Sequence, residues 1–165
     1  MELDTFSTLT EFSVAIAGFS GIIIAVAGRQ GAPLPLVWFR NICLLTWSLC
    51  AAFGSVLPPL VANFGIDGAS VWAWSSGIFS LMVLALTAVP LLGARRLSSE
   101  DSAALSKVMW AIALVGNPLI AISQLVNLAG LFGPPAPGAL FAGILWLLVF
   151  ACMLFGRMLA SPPDP

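Results

Sequence analysis

The sequence contains no histidine and no tyrosine, and only 8% of its 165 residues are charged. A soluble domain carries about 25% charged residues, because it must cover itself with polar surface. The net charge is −1, which gives no electrostatic basis for binding nucleic acid. With hydrophobic residues at 60%, this shortage of charge predicts a protein that has lipid as its solvent.

The missing histidine and the scarce carboxylates also limit the chemistry that the chain can perform. An enzyme needs a nucleophile with a base, or a set of metal ligands, and no pair of carboxylates falls inside an apolar segment. Cys43, Cys50 and Cys152 all lie in apolar runs and form no CxxC pair. Such cysteines usually act as small apolar residues. We therefore expect no enzyme activity, no cofactor and no metal site.

Five apolar segments are long enough to cross a bilayer core of ~30 Å, which takes about 20 helical residues. Glycine- and proline-rich breaks separate them, as is typical of turns. The sequence thus predicts an all-α polytopic membrane bundle, a single transmembrane domain over residues 1–165 with a short flexible tail at 161–165. The predicted spans are 9–28, 36–57, 70–94, 107–131 and 139–159.

All six basic residues fall on one side of this five-span path. The positive-inside rule assigns that side to the cytoplasm. We therefore predict an N-terminus outside, a cytoplasmic C-terminus and a multi-pass location in a bacterial-type inner membrane or a plasma membrane. The predicted inner-rim anchors are Arg29, Arg40, Arg95, Arg96, Lys107 and Arg157.

The first span has a bulky stripe and a small-residue stripe on opposite faces. Phe12 and Ile16 belong to the bulky stripe, which we expect to face lipid. Small residues allow another helix to approach closely, and this helix belongs either to the same chain or to a second copy. The predicted packing face consists of Gly18, Gly21, Ala25 and Gly28.

Glu11 is the only acidic residue that falls within a predicted span. A carboxylate at membrane depth indicates a function by default. The segment from Thr8 to Glu11 also matches a capping box, in which Thr8 caps the helix and Glu11 bonds back to it. Both interpretations place Glu11 at the outer rim, about 25 Å along the membrane normal from Arg40.

Polar side chains recur along spans two to four, and the fourth span contains Pro118 next to Asn117. Proline removes a hydrogen bond from the helix and should kink it. A kink at this depth is either structural or part of a transport site of the broken-helix kind. We predict that a polar outer vestibule or transport path is formed by Glu11, Ser55, Ser76, Asn117, Pro118, Gln124 and Asn127.

Two functions fit these features. The first is a small non-catalytic membrane module that self-associates or binds a partner, as the glycine face of the first span indicates. The fifth span, which has little polarity before Arg157, is expected to lie at the periphery and also favours this function. The alternative is an oligomeric channel or transporter for a cation, a proton or a small polar solute. The expected partners are the lipid bilayer and a second copy or another membrane subunit.

Overall fold

The structure, a computed structural model, describes residues 7–18, 34–95, 97–99 and 107–160, with backbone only at 34–37 and 158–160. These residues form five helices and contain no β-strand. In chain order the helices are α1 (7–18), α2 (Leu34–Asn63), α3 (Ala69–Ala94), α4 (Lys107–Leu128) and α5 (Pro137–Ala160).

The helices α2 to α5 are each long and apolar enough to cross a membrane. The all-helical, multi-pass bundle predicted from the sequence is therefore confirmed with four candidate spans. The first predicted span, 9–28, is described only as far as Gly18, and the predicted tail at 161–165 lies outside the described residues. The fifth crossing and the sidedness of the bundle stay predictions.

The helix α2 continues past its predicted end at residue 57, through Pro58 and Pro59, to Asn63. Membrane helices tolerate proline because neighbouring groups satisfy the carbonyls that it frees. The chain then turns where Gly65 and Gly68 adopt φ angles of 77° and 62°. Glycine reaches positive φ without steric cost, so this short turn brings α3 back antiparallel to α2.

The helices α2 and α3 form the centre of the bundle. Contacts are most extensive between α3 and α4, between α2 and α5, and between α2 and α3. The helices α4 and α5 are consecutive, yet they touch each other less extensively. The helix α5, which was expected at the periphery, contacts mainly α2 and has one face with the fully buried Leu140 and Ile144.

One aromatic ring sits where three helices meet. Phe79 of α3 is fully buried. A Cβ atom at Gly54 of α2 would lie 2.5 Å from this ring, and one at Gly143 of α5 would lie 2.7 Å from it. Because both distances are shorter than carbon–carbon contact allows, the two glycines let α2 and α5 close around Phe79.

The helix α1 packs on the bundle through a face that differs from the predicted one. Leu9, Ser13 and Ile16 are buried, whereas Phe12 is exposed. Ile16 was expected to face lipid with Phe12, so the bulky stripe is divided between the bundle and the surface. Residue 7 is already helical, which places Thr8 inside α1 rather than at its cap.

Candidate functional site

Asn117 joins three helices at the middle of the bundle. Its Nδ2 donates a hydrogen bond to Thr87 Oγ1 of α3 at 3.1 Å, and its Oδ1 accepts one from Trp146 Nε1 of α5 at 3.2 Å. The helix α4 is continuous through Pro118. The predicted kink at Pro118 therefore does not interrupt the helix, and the Asn117 amide bonds to side chains of α3 and α5.

A second set of polar contacts holds the C-terminal end of α4 against its neighbours. Gln124 is fully buried, and its Nε2 donates to the carbonyl of Ala139 at 2.8 Å. The Nδ2 of Asn127 donates to Ser76 Oγ at 2.9 Å. Asn127 also exchanges two hydrogen bonds with the backbone of Ala136, at 3.0 and 3.1 Å. These bonds tie α4 to α3 and to the turn before α5.

The residues of the predicted vestibule make contacts at several places in the bundle. Ser76 and Asn127 bond directly to each other, but Asn117 lies about 15 Å along α4 from Asn127. Ser55 contacts Thr10 of α1 through its hydroxyl at 2.5 Å, and Glu11 is exposed on α1. The structure thus distributes these polar groups over several separate contacts between helices.

The predicted packing face is described only at Gly18. This residue is exposed, and no atom lies within 4 Å of the position that its Cβ would take. Of the predicted rim anchors, Arg40 is half-buried, while Arg95, Lys107 and Arg157 are exposed. The predicted residues that lie outside the described part of the chain are Gly21, Ala25, Gly28, Arg29 and Arg96.

A cavity of about 50 Å³ lies between the four long helices, in the half of the bundle that carries Arg40 and Arg157. Both arginines line it, and Asn117 and Thr87 lie at the other end of its lining. Of the predicted vestibule residues, Asn117 alone belongs to this lining. The cavity therefore extends from the predicted inner rim towards the middle of the membrane, on the opposite side from the predicted vestibule.

Four aromatic side chains line the cavity in two pairs. Phe39 stacks on Trp110 with ring centroids 5.8 Å apart, and Trp47 and Phe150 form a T-shaped pair with ring centroids 5.0 Å apart. All four rings line the cavity. Such pairs stabilise the packing by about 0.5–1.5 kcal/mol beyond the area that they bury, and they make this part of the wall apolar.

The sequence signal for this wall is a spacing of apolar residues, not of polar ones. Phe39, Cys43 and Trp47 recur at a spacing of four in α2, which places them on one helix face. All three line the cavity. The two arginines were predicted as separate rim anchors, and the structure brings both to the same opening.

Several buried polar atoms on α2 and α3 have no hydrogen-bond partner. Asn41 is 1% exposed, and neither its Nδ2 nor its Oδ1 is bonded. The hydroxyls of Ser48 and Ser75 and the indole N–H of Trp47 are also unpaired. An unpaired buried polar group costs about 1–3 kcal/mol, so these positions weaken the bundle unless something satisfies them.

Among the residues that the structure describes, no three His, Cys, Asp or Glu side chains lie close enough together to hold a metal ion. Comparison of the chain with protein-family models, curated proteins and solved structures found no match.

Proposed function

We propose that the protein is a small non-catalytic integral membrane module that associates with a second copy of itself or with another membrane subunit. The exposure of Gly18 on α1 carries this proposal. The opposite side of α1 packs on the chain's own bundle through Ser13 and Ile16. Gly18 therefore points away from the bundle, where a helix of another chain can approach it closely.

The hydrogen bonds inside the bundle support a binding role over a conducting one. Side-chain amides donate hydrogen bonds to another helix or to the adjoining turn at Asn117, Gln124 and Asn127. Moving a solute past them would mean exchanging these bonds at membrane depth, where water is absent. Association through an outer face leaves all of them in place.

We expect Gly18→Leu to weaken self-association about tenfold, a change of roughly 1.4 kcal/mol. The leucine side chain would hold the partner helix away and remove close backbone contact. The measurement is energy transfer between donor- and acceptor-labelled copies in liposomes, followed as the protein is diluted with lipid.

The matched control is Gly156→Leu, because Gly156 is also an exposed helical glycine with no atom within 4 Å of its Cβ position. This variant should associate like the wild type. Energy transfer that is equal in all three proteins would contradict a role for Gly18. A wild type that remains monomeric at every dilution, with no other membrane subunit bound, would contradict the proposed module.

A channel or transporter for a cation, a proton or a small polar solute is the second candidate, and the unpaired polar atoms of α2 favour it. Asn41 and Ser48 are seven residues apart and lie on one face of the helix. Both are buried and unpaired. A water molecule or a solute passing along this face would satisfy them.

Conductance separates the two candidates. For the proposed module, planar bilayers that contain the wild type should pass no more current than protein-free bilayers. Asn41→Leu should be equally silent. A cation current in the wild type that Asn41→Leu abolishes, and that Ser70→Ala at the exposed start of α3 leaves intact, would reverse the ranking of the two functions.

A further inference from the structure

One buried donor in the wall of the cavity between the four long helices lacks a hydrogen-bond partner. Trp47 of α2 lines this cavity and is only 7% exposed, and its indole N–H has no acceptor. Among the unpaired buried atoms of the described residues, this nitrogen alone belongs to the cavity lining. An unpaired buried donor costs about 1–3 kcal/mol, so the cavity favours an occupant that brings an acceptor.

The other polar side chains of the lining are already engaged. Thr87 Oγ1 accepts a hydrogen bond from Asn117, and Asn117 Oδ1 accepts one from Trp146. The two arginines at the opening also have interaction partners, and a guanidinium contains no acceptor. An acceptor for the Trp47 indole is therefore best supplied by a molecule that enters the cavity.

Water fits this position poorly. A buried water molecule usually makes about three hydrogen bonds to groups that are otherwise unsatisfied, whereas the lining offers one unpaired donor. Next to this donor the lining is apolar and includes the rings of Phe39, Trp110 and Phe150. An oxygen atom bonded to carbon would satisfy the N–H, and its carbon atoms would cover these rings, which gains about 25 cal/mol per Å².

The occupant should also be neutral and compact. Bringing an ion into apolar surroundings costs far more free energy than bringing in an uncharged polar group. The cavity has a volume of about 50 Å³, and a water-sized group needs about 10–15 Å³ of such space. The enclosed part therefore holds about three to five non-hydrogen atoms. A carbonyl group with the carbons next to it meets both conditions.

We propose that this cavity binds the carbonyl end of a neutral lipophilic compound. The carbonyl oxygen accepts the hydrogen bond of the Trp47 indole, and the adjacent carbons lie against the aromatic wall. A small ketone or ester and a longer membrane lipophile share this chemistry; the chain of the longer one leaves between α4 and α5, where contact is limited. The site is separate from the Gly18 face of α1, so it is independent of whether the chain self-associates.

The test is NMR of the full chain in detergent micelles, with an isotope label in the indole N–H groups of its six tryptophans. The probes are cyclobutanone and methylenecyclobutane, which have the same shape and differ in the carbonyl oxygen. We expect cyclobutanone to shift the Trp47 signal to saturation, and methylenecyclobutane to bind about tenfold more weakly. The signals of the exposed Trp38 and Trp74 should change only in proportion to the added probe.

Two variants locate the binding. Trp47→Phe keeps an aromatic ring and removes the donor, so cyclobutanone, followed through the signal of Trp110, should bind about tenfold more weakly while methylenecyclobutane binds as before. Ala113→Leu fills the cavity, because Ala113 lines it and is buried, and should weaken both probes about tenfold. Ala111→Leu is the control, since it adds the same volume at an exposed position of α4, and should bind like the wild type.

Methyl nonyl ketone distinguishes the two sources of the carbonyl group. Tighter binding than that of cyclobutanone, at equal mole fraction in the micelle, would support the site and identify a membrane lipophile as its ligand. Weaker binding, with the same dependence on Trp47 and Ala113, would support the site and identify a small solute.

Three results would overturn the proposal. One is equal affinity for cyclobutanone and methylenecyclobutane, which would mean that the indole N–H contributes nothing. Another is a pair of cavity variants that bind cyclobutanone as tightly as Ala111→Leu does, which would place the probe elsewhere. The third is magnetisation transfer from water to the Trp47 indole proton in the protein without probe, which would show that water already occupies this position.

Discussion

Gly116→Ala should lower the free energy of unfolding by about 1–3 kcal/mol, the usual cost of overpacking a dense interior. Gly116 of α4 is buried, and a Cβ atom there would overlap the indole ring of Trp146 on α5, with ring atoms Cε2 and Cη2 at 2.7 and 2.8 Å. The ring has little room to move, because it is hydrogen-bonded to Asn117 and packed against Phe150. The measurement is unfolding by SDS titration from mixed micelles.

A double-mutant cycle isolates this contact. In a Trp146→Leu background the ring is gone, so Gly116→Ala should cost much less than it does in the wild type. Gly77→Ala is the control, since its Cβ would meet only the flexible end of Leu128 at 3.2 Å and should be tolerated. A cost for Gly116→Ala that is the same with and without Trp146 would refute the clash.

Asn117→Leu should destabilise the bundle by roughly 2 kcal/mol, since hydrogen bonds between membrane helices contribute about 0.6–1.7 kcal/mol each. The change removes bonds to Thr87 and to Trp146. It also leaves the indole N–H of Trp146 without its acceptor, which adds a desolvation penalty. The same SDS titration measures the loss.

Asn41→Leu is the matched control and should behave in the opposite way. Asn41 is as buried as Asn117, but both of its amide atoms are unpaired. Replacing an unsatisfied amide with an apolar side chain of similar size removes its penalty, so stability should stay constant or rise by about 1 kcal/mol. A loss as large as that of Asn117→Leu would show that Asn41 has a bonding partner in the membrane.

The sequence predicted the four long helices well, because hydropathy and span length are local properties. The third predicted span, 70–94, matches α3 at Ala69–Ala94 almost to the residue. The fourth was placed slightly too long, to 131 instead of Leu128. The largest error in a helix end was in α2, where the predicted span ended at residue 57 and the helix continues through Pro58 and Pro59 to Asn63.

The site could not be predicted in the same way, because it depends on which helices are neighbours. The cavity requires α2 to lie against α5, and nothing in either segment encodes that pairing. The polar residues could be assigned a depth but not a partner. Gln124, for example, donates a hydrogen bond to the backbone carbonyl of Ala139. Because every residue has a backbone carbonyl, the sequence cannot show which one accepts the bond.

The fifth helix illustrates a further limit. Nearly every residue from Ala139 to Gly156 is apolar, so polarity gives no contrast between an inner and an outer face. One face of α5 is fully buried and contains Leu140, Ile144 and Ala151. The shapes of the side chains that pack together determine which face this is. Gly143 fits against Phe79, and such fits appear only when the helices are assembled.

The closed turn between α4 and α5 bears on how the protein enters the membrane. Residues 129–136 contain no charge, and Asn127 is already bonded to both backbone groups of Ala136. With the sidedness proposed here, this turn is one of the segments that must be carried through the bilayer during synthesis. The turn carries no charged side chain across the bilayer, and the Asn127 side-chain amide is already hydrogen-bonded. The free-energy cost of translocating this loop is therefore small. We expect α4 and α5 to insert together as one hairpin.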